Sequence, residues 1–94
     1  VGDQAKQIAE LLKILANENR LLIFCGLMER PMTVGELSKF VPNISLSALS
    51  QHLTLLRAYG ILDCSKTGQN VTYAIADHRA EEVVKTLKKY YCEV

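Results

Sequence analysis

Apolar positions recur along this chain first in helical spacing and then in alternation. Ile8, Leu11, Leu12 and Leu15 stand at i, i+3, i+4 and i+7, which predicts a helix over 4–16. A second helix is predicted over about 18–30, with Asn17 as its N-cap and Pro31 as its stop. Its stripe is Leu21, Leu22, Cys25 and Met28, with Phe24 beside it. Thr33-Val34-Gly35-Glu36 reads as a capping box that opens a short third helix, with Val34, Leu37 and Val41 inward. Pro42-Asn43 breaks the pattern into a turn. Ser45 or Ser47 caps a fourth helix, 46–58, whose inner positions are Leu46, Leu49, Leu53 and Leu56. Gly60 follows where a helix commonly ends in a left-handed glycine. Ile61 to Lys66 and Val71 to Ala76 then alternate around Thr67-Gly68-Gln69-Asn70, a β-hairpin signal. The last segment, 77–92, is helical again, with Val83, Val84, Leu87, Tyr90 and Tyr91 on its apolar face.

Two short helices joined by a tight turn have helix-turn-helix spacing. A hairpin directly after the second of them makes a wing. The expected fold is therefore mainly α with a β-hairpin wing: a winged helix-turn-helix of four helices, two strands and a fifth helix. Residues 1–94 form one domain, with 46–58 as recognition helix and 61–76 as wing. The first and last helices lie outside that unit, and each has a stripe that needs a partner. Pairing them across a two-fold axis predicts a homodimer.

Composition agrees with one folded domain: 94 residues, 49% hydrophobic and 22% charged. The longest apolar stretch, Leu21 to Met28, is far short of the ~20 residues that span a bilayer, so no membrane segment is expected. The polar start Val1-Gly2-Asp3-Gln4 has no apolar signal core, and the expected address is cytoplasmic. Three Cys make an odd count, which argues against a secreted disulfide framework.

The net charge is +1, so any DNA contact rests on local charge. Residues 1–45 carry five basic and five acidic groups, and 77–94 carry four of each. The stretch 46–76 holds Arg57 and Lys66 against Asp63 alone, and so avoids repelling phosphate. Ser47, Ser50, Gln51 and Thr54 point away from the leucine stripe of the fourth helix. Such side chains pair with base edges, Gln with adenine and Ser or Thr with several bases. They are equally the residues of an ordinary solvated helix face. His52 lies at the edge of the stripe and suits a core position as well as a DNA contact. In the hairpin, Lys66, Gln69 and Asn70 are placed to reach backbone or minor groove, or to form a plain polar turn.

Several segments together resemble the ArsR/SmtB family of bacterial repressors. They are Leu15-Ala16-Asn17-Glu18-Asn19-Arg20-Leu21-Leu22-Ile23, Thr33 to Leu37, Ser47 to Arg57, and Gly60-Ile61-Leu62 with Gly68 to Tyr73. The resemblance covers about residues 5–93. It implies a homodimer on a palindromic double-stranded operator, with repression released by an inducer. With the reading of the fourth helix and the hairpin, the DNA-contacting set expected is Ser47, Ser50, Gln51, His52, Thr54, Arg57, Lys66, Gln69 and Asn70.

Many members of that family sense metals. The third-helix site needs a Cys-x-Cys motif, and 33–40 contains no Cys. The fifth-helix site would start at Asp77, but its next ligand positions hold Arg79 and Tyr90, and only Glu93 fits. Arg and Tyr do not replace imidazole on zinc. No metal and no cofactor is therefore expected, with an unusual site from Cys25, Cys92 and His78 as the alternative.

Cys25 and Cys92 resemble the pair that marks the family's reactive-sulfur and thiol-redox branch. The resemblance implies that a disulfide or polysulfide bridge between them releases DNA, with reactive sulfur or another oxidant as inducer. A direct disulfide needs Cα atoms within about 7 Å, a limit that a polysulfide relaxes. Lys88 and Lys89 favour a Cys92 thiolate, whereas the helix C-terminus opposes it. Cys25, in an apolar stripe, suits the resolving role. Cys64 has no suggested partner and reads as a bystander. An enzyme is not expected, since His52 and His78 lack an evident catalytic partner. An activator that displaces a silencing protein would use the same chemistry.

Overall fold

The computed structural model describes residues 1–91. The elements are α1 (Gly2–Leu15), α2 (Glu18–Glu29), β1 (Met32–Thr33), α3 (Val34–Phe40), α4 (Leu46–Ala58), β2 (Leu62–Thr67), β3 (Asn70–Ile75) and α5 (His78–Tyr91). The expected winged-helix order is present. One element is additional: β1 pairs antiparallel with β3, Met32 opposite Tyr73, so the wing is a three-stranded sheet of order β1-β3-β2. Two residues are too few for periodicity to reveal, and pairing with a distant strand is what makes them a strand.

The helix boundaries follow their caps. Asn17 Oδ1 accepts the Arg20 N–H at 3.1 Å and starts α2. Thr33 and Glu36 form a reciprocal capping box at the start of α3. Thr33 Oγ1 accepts the Glu36 N–H at 3.2 Å, and Glu36 Oε1 accepts the Thr33 N–H at 2.9 Å. Ser45, not Ser47, caps α4 through the Ala48 N–H at 3.0 Å. The exit of α4 is a Schellman motif: Gly60 has φ +75°, its N–H reaches Arg57 O, and the Ile61 N–H reaches Leu56 O. Gly68, at φ +64°, occupies the first position of the two-residue turn between Thr67 and Asn70.

The core lies where α2, α3 and α4 meet the base of the sheet. Ile23, Phe24, Leu37, Leu49, Leu53 and Leu56 are its most enclosed side chains, and Ile61 and Leu62 extend it to the wing. Two expected stripes are corrected here. On α2 the buried face is Ile23, Phe24, Gly26 and Leu27, whereas Leu21 and Leu22 are exposed and Cys25 and Met28 are half-buried. Apolar residues surround that helix, so spacing alone has no contrast from which to choose a face. On α4, Leu46 is 63% exposed, because the first turn projects beyond the core.

The outer helices bury little within one protomer. α1 buries Ile14 and Leu15, and α5 buries Ala80 and Val84. Ile8, Leu12, Val83 and Leu87 from their expected stripes stay exposed. Tyr90 and Tyr91 are exposed too.

Candidate nucleic-acid interface

Leu49, Leu53 and Leu56 anchor α4 in the core and so fix which of its faces is free. That free face carries Ser47, Ser50, Gln51 and Thr54, all exposed, which line one open depression with Leu55 and Ala58. Arg57 is exposed in the last turn of the same helix. The first turn of α4 holds no acidic residue, so nothing there offsets the attraction of a helix N-terminus for anions. Lys66, Gln69 and Asn70 are exposed on the β2–β3 hairpin, and β2 packs against α4. Eight of the nine residues expected to contact DNA are thus solvent-facing on two packed elements.

His52 stands apart from that row. It is half-buried, with Nδ1 3.4 Å from Nη1 of Arg20 on α2. Burial first, and the nearby Arg20 charge second, push its pKa below the ordinary histidine value. Arg20 also donates from Nε to the Ile14 carbonyl at the end of α1. Sequence reasoning gave Arg20 no functional role. The available signal was a lone cation opening an apolar run.

Cys25 is half-buried and packs against the core from α2. Cys64 is half-buried on β2, opposite Tyr73 of β3. Cys92 lies outside the described residues.

Asp77, the first residue of the metal pattern considered for the fifth helix, acts as the N-cap of α5. Its Oδ1 accepts the Arg79 N–H at 3.0 Å, the Ala80 N–H at 3.2 Å and Arg79 Nε at 3.3 Å. Burial alone would raise its pKa, but these bonds outweigh it and hold the carboxyl below its usual value. His78 Nδ1 pairs with Glu81 Oε1 at 3.0 Å. Among the described residues, no three His, Cys, Asp or Glu side chains converge as a metal site would require.

The family pattern described as bacterial regulatory protein, arsR family, matches residues 17–63, from the α2 cap through α4 into β2. The transcriptional activator HlyU of Vibrio cholerae is 41% identical over 83 residues, 88% of this chain and 76% of that protein. The chain belongs to the ArsR family. It is a transcriptional regulator, and its HlyU relative is a regulator rather than an enzyme. The solved structure of HlyU from Vibrio cholerae superposes with a TM-score of 0.92 at 36% identity, covering 99% of this chain and 100% of that one. A structure described as reduced HlyU gives 0.90 at 37%, covering 98% and 96%. The transcriptional repressor BigR from Xylella fastidiosa gives 0.91 at 31% identity, covering 99% and 94%. These ArsR relatives share the winged-helix architecture derived above. No helix among the described residues is long and apolar enough to cross a membrane.

Proposed function

We propose that this regulator acts in the cytoplasm as a homodimeric repressor that holds a palindromic operator when reduced. It lets go when Cys25 and Cys92 are bridged by a disulfide or polysulfide. The observation that carries the reading is the position of Cys25. It sits on α2, the helix that packs against α1, α3, α4 and the sheet. A covalent tie there bears on both the outer helices and the reading helix.

The DNA contacts proposed are Ser47, Ser50, Gln51, Thr54 and Arg57 on α4, with Lys66, Gln69 and Asn70 on the wing. His52 acts at the margin of that set. The dimer seam uses the exposed apolar faces of α1 and α5. A cleft of about 660 Å³ between them, lined by Ile8, Leu11, Leu12 and Val83 together with Gln7, Glu10, Asp77 and Arg79, supports this assignment.

The chemistry balances with a persulfide as oxidant. Two thiols and one persulfide give the Cys25–Cys92 disulfide, a thiol and hydrogen sulfide. A trisulfide bridge takes two persulfides and releases two thiols and one hydrogen sulfide. Attack proceeds from a thiolate on the persulfide or mixed-disulfide sulfur. That a relative's structure is described by its reduced state supports a redox reading. Mass spectrometry of the Cys25 and Cys92 peptides after persulfide treatment tests it, the mass added between them naming the bridge.

The relative HlyU is named an activator, which favours a second reading of the output. In it the same switch controls displacement of a silencing protein, and occupancy of the operator raises transcription. A reporter with and without the regulator separates the two by sign.

A further inference from the structure

Arg20 joins three elements at the start of α2. Its backbone N–H is held by Asn17, and its Nε donates to the carbonyl of Ile14. That carbonyl lies in the last turn of α1, where helix carbonyls lack partners of their own. Its Nη1 lies 3.4 Å from Nδ1 of His52 on α4. A guanidinium offers only donors and keeps its charge in proteins. Nδ1 of His52 is therefore the accepting nitrogen. A neutral imidazole that accepts at Nδ1 carries its proton at Nε2. Burial and the Arg20 charge both disfavour the imidazolium, so this neutral tautomer is the form that meets a ligand.

We propose that Arg20 is a positioning residue for DNA binding: anchored to the end of α1, it fixes His52 as an Nε2–H donor to a phosphate oxygen beside the reading face of α4. The proposal rests on the reading of α4 as the DNA helix. A phosphate is the fitting acceptor because His52 is at the margin of the outward face, half-buried, while Ser50, Gln51 and Thr54 hold the centre. Contacts at the margin of a recognition element orient it on the backbone rather than read bases. Arg20 acts here through a hydrogen bond and not by touching DNA.

The test combines NMR with titration of the duplex that the unsubstituted protein selects from a random library. Long-range proton–nitrogen correlations should place the His52 proton on Nε2. Arg20→Met should give a mixture of tautomers and about tenfold weaker binding, the scale of one hydrogen bond to a charged acceptor. The slope of affinity against salt should not change, because a neutral imidazole displaces no counterion. His52→Gln, whose amide nitrogen reaches the place of Nε2, should keep most of the affinity. His52→Ala should lose as much as Arg20→Met, and the double variant no more than either. The Gln and Ala variants, with the tautomer measurement, decide the matter even where Arg20→Met perturbs folding.

A proton on Nδ1 in the unsubstituted protein would overturn the proposal, as would full affinity in His52→Ala. A smaller salt slope in Arg20→Met would overturn it too, since Arg20 itself would then be touching phosphate. Failure to select any duplex would sink the reading of α4 and this proposal together. Normal selection with the wrong tautomer sinks only the proposal.

Discussion

Gly26 of α2 lies against the ring of Phe40 at the end of α3. A methyl group at position 26 would stand 2.9 Å from Phe40 Cδ2 and 3.0 Å from Cε2, and the three nearest atoms all belong to that ring. The two helices approach this closely because one of them lacks a side chain there. We expect Gly26→Ala to cost about 1–3 kcal/mol through overpacking. In a Phe40→Ala background the obstacle is gone, and Gly26→Ala should then stabilise by up to about 1 kcal/mol through helix propensity. Urea denaturation of the four combinations checks this. Equal effects of Gly26→Ala in both backgrounds would refute the contact.

Stability should decline in two steps as pH falls. The folded-state pKa of His52 is lowered, by burial and then by Arg20. The unfolded chain therefore binds that proton more readily, and stability drops as pH falls below about 6.5. Asp77 is also lowered, its bonds to Arg79 and Ala80 overcoming the effect of burial. Its contribution is present above the ordinary carboxylate range and is lost as pH falls through that range. Denaturation midpoints measured against pH should show both limbs. His52→Gln should flatten the first, and Asp77→Ala should reduce the second, to which Glu36 also contributes, its carboxyl held below its usual value by the Thr33 N–H and by Arg30. An unchanged upper limb in His52→Gln would contradict the assignment.

Much of this architecture is legible in the sequence, and the failures have causes. The inner face of α4 reads correctly at Leu49, Leu53 and Leu56, because polar residues separate those positions from the outer face. The caps at Asn17 and Thr33 read correctly because capping is local chemistry, and at α4 the sequence left Ser45 and Ser47 open, of which Ser45 is the cap. Spacing misleads on α2, whose run from Leu21 to Met28 is apolar all round. It also includes Leu46, although that position in the first turn of α4 meets no core. Long-range contacts are illegible: β1 exists through β3, and His52 turns to Arg20 across 32 positions of chain. Among the candidate DNA residues, the polar row of α4 is legible as a face. The margin at His52 is not, since one angular position serves core and ligand alike.

The exposed stripes of α1 and α5 predict an association that can be broken. Leu12 is 48% and Leu87 49% exposed in the single protomer. Burying such a side chain is worth about 1.5–3 kcal/mol, so a charge there should weaken a dimer strongly. Leu12→Glu with Leu87→Glu should elute and sediment as a folded monomer, with unchanged far-ultraviolet circular dichroism. A variant that stays dimeric would move the seam elsewhere.

The two elements of the DNA face should fail differently. Gln51→Ala should cost about 1–3 kcal/mol of discrimination at one base pair while leaving the salt slope intact. Lys66→Ala should weaken binding to all sequences alike and reduce the slope by about 1. Fluorescence anisotropy on selected and scrambled duplexes at several salt concentrations measures both. A slope unchanged in Lys66→Ala would remove the wing from the phosphate backbone.

On the proposed reading, bridging Cys25 to Cys92 releases DNA. This is tested most directly by titrating reduced protein with its selected duplex, before and after addition of a persulfide. Affinity should fall by about 5–150-fold in the unsubstituted protein and in Cys64→Ser, the range of a typical allosteric coupling. Cys25→Ser and Cys92→Ser should bind as tightly as the reduced protein and not respond. Release that persists in either of those two variants would show that the Cys25–Cys92 pair is not the switch.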